Sequence, residues 1–258
     1  MSSIPKAVGA RGPFLERIDS GADTDQVVDE RLIAVTDPMS AAAEQYRMLL
    51  HRLRHIRALR GEAIQGGVVV AVTSSVRSEG VSITAANLAL TAARSRDARV
   101  ALVDCDLRMG ATGELFGMGA RVGLSDVLSG KAEIGEALGR FHEGHLAVIP
   151  AGKVVGESAS LLAGTRFAQS IALLRNLFDE IYLDVPPALA TADAAIVAHK
   201  ADGVVMVVRA GTTPREQVAG AVRALAGAPV WGMVLNGVDP SRVPAPLPVV
   251  RGQLTSGK

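Results

Sequence analysis

Aromatic residues are scarce in this chain. They make up 3% of its 258 residues. Proteins that bind single-stranded nucleic acid or glycans stack aromatic side chains on bases and sugars, so the composition argues against both classes. The formal net charge of +1 gives no strong global attraction to nucleic acid or to an anionic membrane. We therefore expect no nucleic-acid partner.

The chain also has only one cysteine, and its apolar runs are short. The single cysteine, Cys105, cannot form an internal disulfide, and residues 1–20 lack the apolar stretch of a secretory signal. The richest apolar runs, such as residues 203–208, are far shorter than the roughly 20 residues that cross a bilayer. The sequence therefore predicts a cytoplasmic protein that reaches the inner membrane only through a partner.

Length and composition predict one domain with less regular ends. A chain with 48% apolar residues can bury one sizeable core. Residues 1–36 are rich in Gly, Ser and Asp without periodicity, which is typical of a flexible lead-in. The domain is expected over residues 37–238. Residues 239–258 carry four prolines, which predicts an extended, flexible tail.

A basic helix is expected near the start of the domain. Asp37 and Pro38 have the residue types of a helix start, and residues 41–59 follow without a breaker. Residues 44–60 carry five arginines against Glu44, a net charge of +4. This face is either a solvated surface or a docking surface for an acidic partner or anionic lipid.

From residue 66 onward, apolar β-branched runs alternate with helical stretches. Strands that are apolar on both faces and separated by helices predict an α/β fold, a parallel sheet with helices on both faces. Ligands of such sheets bind at the carboxyl ends of the strands. The predicted strands are residues 67–73, 98–103, 146–149, 180–183, 203–208 and 230–235, and the predicted helices are 82–95, 158–177, 190–199 and 214–226.

Residues 68–84 have the pattern of a strand, a loop and a helix, which is the setting of a phosphate-binding loop. The usual motif has Gly, Lys and then Ser or Thr at the helix start. Here Gly80, Val81 and Ser82 stand in those places, and Ser75 lies earlier in the loop. Many α/β folds have a Ser-rich loop here without a ligand, so the loop alone does not establish a nucleotide site.

Carboxylates follow two further predicted strands. Asp104 and Asp106 follow the second strand at a spacing of two, and Asp184 ends another. Three carboxylates that converge on one edge of a sheet fit the inner and outer shells of a magnesium ion. The loop and the carboxylates together predict a site for a metal-bound phosphate ligand.

Taken together, the motifs resemble the bacterial tyrosine kinases of capsule and exopolysaccharide assembly, which belong to the deviant P-loop ATPases. The resemblance runs from about residue 31 to residue 238. Apart from the loop and the carboxylates, it rests on Arg31-Leu32-Ile33, Glu44-Gln45-Tyr46-Arg47, Gly123-Leu124-Ser125-Asp126-Val127-Leu128-Ser129-Gly130, Ala151-Gly152-Lys153, Asp184-Val185-Pro186-Pro187 and Gly232-Met233-Val234-Leu235-Asn236.

The resemblance implies a P-loop NTPase-like fold that binds ATP or ADP with magnesium. It implies that Ser82, Asp104 and Asp184 hold the metal and that Asp106 lies near the catalytic centre. Asn236 would lie near the base. Glu44 and Arg47 would belong to the contact that assembles a homo-oligomeric ring. The partner implied is a membrane polysaccharide co-polymerase that determines chain length.

Three departures from the family pattern shape the functional expectation. Val81 replaces the phosphate-binding lysine, and Arg77 and Ser78 replace Pro-Gly. The family's C-terminal tyrosine cluster is missing, and Leu50 replaces an arginine of the ring motif. We therefore expect a pseudokinase in which Asp104, Asp106 and Asp184 are vestigial and nucleotide binding is weak or absent.

Two alternatives remain open. A weakly active ATPase or tyrosine kinase would need Arg77 or Lys153 to replace the missing lysine. A partitioning-type ATPase fits the sequence of residues 123–130 poorly.

Overall fold

The computed structural model describes residues 29–60, 66–95, 98–119, 121–141 and 145–239. The lead-in expected over residues 1–36 lies outside the described residues up to residue 28. The proline-rich tail expected over residues 239–258 lies outside them from residue 240. Within the described ranges, no helix combines the length and the apolar character that a membrane span requires.

The described residues form a seven-stranded sheet in the order β3-β4-β2-β5-β1-β6-β7. Neighbouring strands are parallel except for β3, which pairs antiparallel with β4 at one edge. This architecture confirms the predicted α/β fold. The strands are β1 (Val68–Ser74), β2 (Val100–Asp104), β3 (Gly139–Phe141), β4 (Leu146–Ile149), β5 (Glu180–Asp184), β6 (Gly203–Arg209) and β7 (Val230–Asn236).

Helices cover both faces of the sheet. In chain order they are α1 (Ile33–Thr36), α2 (Ala41–Leu59), α3 (Val81–Ala93), α4 (Thr112–Leu115), α5 (Leu124–Leu128), α6 (Ser158–Ala163), α7 (Thr165–Leu177), α8 (Asp193–Ala198) and α9 (Arg215–Ala224), with a short 3₁₀ turn at Ile134–Glu136.

The core has one layer on each side of the sheet. Successive residues of β1 alternate between the layers, because strand side chains point to opposite faces. Val69 and Ala71 pack on the side of α6 to α9. Val68 and Val70 pack on the side of α2 and α3. The strands that carry the candidate site residues are therefore fixed from both faces.

The two largest differences from the predicted helices lie at residues 37–41 and at residue 164. The helix that starts at Asp37-Pro38 in the prediction begins at Ala41, because the Ser40 hydroxyl accepts a hydrogen bond of 3.1 Å from the Ala43 N–H. The single helix expected over residues 158–177 is broken at Gly164, whose backbone is extended and lies between α6 and α7.

Residues 29–36 are packed rather than forming part of a flexible lead-in. Leu32 and Ala34 are buried against the α2 and α3 layer. The Ala34 N–H donates a 2.9 Å hydrogen bond to the Asn87 side chain on α3. The packed part of the chain therefore begins before the expected boundary at residue 37.

Candidate functional site

Three central strands bring the candidate residues to one edge of the sheet. β5 lies between β2 and β1, so the carboxyl ends of all three are neighbours. Asp104 at the end of β2 is the direct partner of Asp184 at the end of β5. The loop at residues 75–80 leaves the end of β1 and enters α3. The structure thus places the loop beside the two aspartates.

Glu79 holds the loop in shape. One oxygen of its buried carboxylate accepts hydrogen bonds from the N–H groups of Ser75, at 2.7 Å, and Val76, at 3.0 Å. The other oxygen accepts from the Arg209 N–H and the Thr213 hydroxyl. These bonds outweigh the cost of burial and lower the pKa of Glu79, so the group stays ionised. Both ends of the loop and the end of β6 are tied to a single side chain.

Asn236 closes the loop from the side of β7. Its amide nitrogen donates a 2.8 Å hydrogen bond to the Glu79 carbonyl. Gly80 has a φ of +92°, and a Cβ at this position would lie 2.1 Å from that nitrogen. Glycine is therefore required at position 80 by both backbone conformation and space. Asn236 therefore contacts the loop, whereas the family resemblance implies a position near the base of the nucleotide.

The loop presents free hydrogen-bond donors. Among the described residues, no hydrogen bond uses the backbone N–H groups of residues 80–83, the first turn of α3 and the glycine before it. The buried hydroxyl of Ser75 likewise has no partner within the described part of the chain. Unpaired N–H groups at a helix N-terminus attract anions. The loop is therefore suited to an anionic group such as phosphate.

Asp104 and Asp184 form a buried acidic pair. The Thr112 N–H donates to Asp104 at 3.0 Å, and the Thr112 hydroxyl donates to Asp184 at 2.7 Å. Ser82, at the start of α3, also acts on Asp184, because its hydroxyl lowers the pKa of that carboxyl. Thr112 and Ser82 thus connect the two carboxylates to α4 and to the start of α3.

Burial sets the protonation of this pair. It raises the pKa of Asp184 to about 6, against the opposing hydrogen bonds from Ser82 and Thr112. It also raises the pKa of Asp104 well above its usual range, and the negative charge of Asp184 adds to the effect. Two like charges in a buried site are unfavourable without a cation.

The residues present fit a magnesium ion that is completed by its ligand. No cluster of three His, Cys, Asp or Glu side chains in the described ranges could hold a metal alone. Magnesium is usually bound by one or two carboxylates, waters and substrate phosphates. Asp104, Asp184 and the Ser82 hydroxyl supply such a partial set. Asp106, whose N–H donates to Asp104 at 3.0 Å, is partly exposed beside it.

The two candidates for replacing the lysine lie at different distances from the end of β1, where the loop begins. Arg77 is exposed in the loop, and its guanidinium lies 2.6 Å from the Met109 sulfur. Lys153 is exposed after β4, which is separated from β1 by β2 and β5. Val81 is half-buried at the start of α3, where it packs against the α2 and α3 layer.

The candidate ring residues pair with each other. The Arg47 guanidinium lies 2.6 Å from the Glu44 carboxylate and donates to the Pro38 carbonyl at 2.9 Å. Leu50, which stands where the ring motif has arginine, is buried in the core. Both groups lie on α2, away from the acidic pair.

Part of the basic face of α2 is occupied. Arg54 donates to the buried Glu180 at 2.7 Å, and the Tyr182 hydroxyl donates to the same carboxylate at 2.6 Å. Arg54 is therefore a structural residue as well as a surface charge. Arg52, Arg57 and Arg60 form no side-chain hydrogen bond or ion pair with the described residues.

Sequence reasoning missed Glu79 and Thr112 as parts of the site. Glu79 bonds to residues about 130 positions away, and Thr112 reaches Asp184 across 72 positions. Such contacts depend on the strand order. The local signal available was the position of Glu79 directly before Gly80, inside the loop motif.

The comparisons with known proteins agree on one family. The chain is 34% identical over 212 residues to tyrosine-protein kinase YwqD of Bacillus subtilis, a match of 81% of this chain and 87% of that protein. The kinase domain of the Escherichia coli tyrosine kinase Etk has a TM-score of 0.73 and 28% identity, covering 86% of this chain and 87% of that chain. No family model matches the chain.

A more distant structure shares the fold. The septum site-determining protein MinD from Pyrococcus horikoshii, in complex with Mg-ADP, has a TM-score of 0.55 at 22% identity, with 69% of this chain and 74% of that chain covered. At this identity the likeness concerns the fold alone. The P-loop NTPase-like fold expected from the sequence is confirmed.

Proposed function

The chain belongs to the bacterial tyrosine-protein kinases, and from that premise we propose that it is a pseudokinase. In this proposal it is a cytoplasmic component of an exopolysaccharide synthesis and export system. It regulates or scaffolds a membrane chain-length or co-polymerase partner instead of transferring phosphate. The observation that carries the proposal is Val81 at the position of the phosphate-binding lysine.

The missing charge should weaken catalysis more than binding. A hydrogen bond to a charged group contributes about 1.5 to 3 kcal/mol. Loss of one well-placed electrostatic donor costs about 10² to 10³ in rate. Interactions that strengthen in the transition state affect turnover most. An aliphatic side chain at position 81 cannot supply this interaction.

Nucleotide binding itself is supported by what the site retains. The free N–H groups of residues 80–83 suit phosphate, and Ser82, Asp104 and Asp184 suit its magnesium ion. MinD, which shares the fold, holds Mg-ADP. We propose that Mg-ADP or Mg-ATP binds weakly here and is turned over poorly, with Asn236 near the base.

The tyrosine content supports the same proposal. The chain has two tyrosines, Tyr46 and Tyr182, and residues 239–258 have none. Tyr182 is buried, and burial raises its pKa well above the usual range. Tyr46 is half-buried, and burial also raises its pKa. Neither side chain is fully exposed, so neither is suited to phosphorylation by a neighbouring copy.

The substitution Val81→Lys tests the proposal. We expect the purified wild-type chain to hydrolyse ATP with magnesium about 10² times more slowly than Val81→Lys, since the lysine restores one electrostatic donor. A matched control, Val81→Met, adds length without charge and should leave the rate at the wild-type level. Initial rates of phosphate release measure all three.

A wild-type rate equal to that of Val81→Lys would overturn the pseudokinase proposal. It would favour the alternative of a weakly active ATPase or tyrosine kinase, in which Arg77 supplies the charge. Arg77→Ala in the wild-type background would then abolish the hydrolysis. The specific observation behind this alternative is that Arg77 belongs to the loop.

A further inference from the structure

A groove of about 540 Å³ lies between α2 and the edge strand β7. Tyr46, Met48 and Leu49 line it from α2, and residues 233–238 line it from the strand. Met233 and Leu235 are 53% and 65% exposed. Exposed apolar side chains along an unpaired sheet edge favour pairing with another strand.

β7 is the last strand of the sheet that the described residues form. The Asn236 carbonyl accepts a 2.8 Å hydrogen bond from the Ala210 N–H, on the side of β6. The backbone groups of successive strand residues point to alternate sides, so Leu235 and Met233 direct theirs toward the open edge. Within the described ranges, two N–H and two C=O groups are thus left for another strand.

The sequence that follows β7 has an unusual alternation. Prolines occupy positions 244, 246 and 248, between Val243, Ala245, Leu247 and Val249. Proline has no N–H, so in a sheet it is confined to edge strands with its nitrogen toward solvent. A spacing of two puts all three proline nitrogens on one side and the four remaining N–H groups on the other.

The alternation also restricts the backbone. A residue before proline is held in extended conformations, and three of the four non-proline residues precede a proline. Proline itself has a φ near −65°, which an edge strand tolerates. Less conformational entropy is therefore lost when this segment becomes a strand.

The chain leaves β7 in a way that allows it to turn back. Gly237 has a φ of +69°, and Asp239 is followed by Pro240, a pair that is typical of turns. Residues 243–249 are equal in length to β7, which has 7 residues. Only the short stretch between them is needed for the reversal, so this segment of the same chain reaches the edge first.

We propose that residues 243–249 pair antiparallel with the open edge of β7 as a further strand of the sheet. Their N–H groups face β7, and the proline nitrogens face solvent and block any additional strand. Val234 packs on the α2 side of the sheet, so Met233 and Leu235 face the other side. Because cross-strand partners share a face, Ala245 and Leu247 cover Met233 and Leu235, and the proline rings fill the groove.

Amide exchange tests this proposal in the full chain. The variant Ala245→Pro/Leu247→Pro removes two N–H groups that would face β7. Pro246→Ala, the matched control, keeps every one of them. In the wild type and the control, we expect the amides of Met233 and Leu235 to exchange at least about tenfold more slowly than in the double variant. Unchanged exchange of β1 amides would show that the variant is folded.

Two results would overturn the proposal. Equal exchange of Met233 and Leu235 in the wild type and the double variant would mean that the tail leaves the edge open. Protection that increases with protein concentration would mean that a second copy covers the edge. Neither result depends on nucleotide binding or turnover, so the test is independent of the proposed function.

Discussion

Two separate features disfavour a side chain at Gly80: its left-handed backbone and the Asn236 amide nitrogen beside it. The cost of each in folding free energy can be measured separately. In Gly80→Ala we expect the free energy of unfolding to fall by about 2 to 3 kcal/mol. About 1 to 2 kcal/mol comes from the left-handed backbone and about 1 kcal/mol from the lost bond between Asn236 and Glu79. Urea denaturation measures the loss.

Gly211 provides the control for this prediction. Its φ is +71°, and a Cβ there would meet nothing within 4 Å. Gly211→Ala should therefore show only the backbone cost of about 1 to 2 kcal/mol. An equal loss in both variants would mean that the contact between Gly80 and Asn236 contributes nothing.

The acidic pair predicts a pH dependence of stability in magnesium-free protein. Burial raises the pKa of Asp184 to about 6, above that of an unfolded Asp, near 3.9. The folded state then binds more protons than the unfolded state between these values. Stability from this group is full below about pH 4 and is lost as the pH rises through about 6.

The variant Asp184→Asn removes that contribution, because asparagine cannot ionise, and with it the effect of the Asp184 charge on Asp104. We expect wild type to lose stability relative to this variant between about pH 4 and 6, with a slope of up to about 1.4 kcal/mol per pH unit. Denaturation of both proteins in EDTA across this range measures the difference. A difference that stays constant with pH would show that Asp184 has an ordinary pKa.

At the scale of the elements, an ion pair helps to hold α2 on the sheet. It lies at the start of β5, and Asp184 lies at the end of the same strand. The Arg54 guanidinium lies 2.7 Å from Glu180, whose side chain is 7% exposed, against 40% for the arginine. Because the arginine is partly solvated, we expect Arg54→Ala to cost only about 1 to 3 kcal/mol. Thermal unfolding measures the change.

Arg57 on the same helix serves as the comparison. Its side chain makes no hydrogen bond with the described residues, so Arg57→Ala should change stability by less than about 0.5 kcal/mol. If both variants lost the same stability, the effect would come from the total charge of α2 and not from the contact with Glu180.

The sequence predicted elements where the local pattern was strong. β4 was predicted at its observed bounds, and the other main strands within two residues, because apolar β-branched runs between helices leave few alternatives. β3 has only Gly139, Arg140 and Phe141 and was missed. Its pairing with β4, rather than its own pattern, makes it a strand.

The site was predictable to the extent that its residues end strands. The register of β2 and β5 places Asp104 opposite Asp184, as their positions at strand ends suggested. Thr112 and Glu79 could not be inferred, because their partners are close only after the sheet has assembled. Conversely, Arg54 had the pattern of a free surface charge, and only the structure shows that it pairs with Glu180.

On the scale of the whole molecule, the surface charge predicts weak attraction to lipid. Arg52 and Arg57 on α2, and Arg60 directly after it, make no side-chain hydrogen bond or ion pair in the described ranges. At about 1 kcal/mol per arginine near an anionic surface, three give about 3 kcal/mol, which corresponds to a Kd weaker than about 1 mM. We therefore expect the purified chain to remain in the supernatant with anionic phospholipid vesicles.

Vesicles that contain the co-polymerase partner provide the other arm of that experiment. The proposed function requires the chain to sediment with them, and Arg57→Glu/Arg60→Glu tests whether α2 is the contact. Sedimentation with lipid alone would contradict attachment through a partner. Failure to sediment with either would contradict the proposed scaffold role.

The carboxylates around the loop have a consequence for the order of events at the site. Glu79, Asp104, Asp106 and Asp184 are all acidic, and the loop's own cation, Arg77, has its guanidinium at Met109. The ionised carboxylates among them oppose the approach of a bare nucleotide polyanion, against the attraction of the free N–H groups at residues 80–83. A nucleotide that arrives as its complex with a divalent ion carries less negative charge. We therefore expect the metal complex, and not the free nucleotide, to be the form that enters the site.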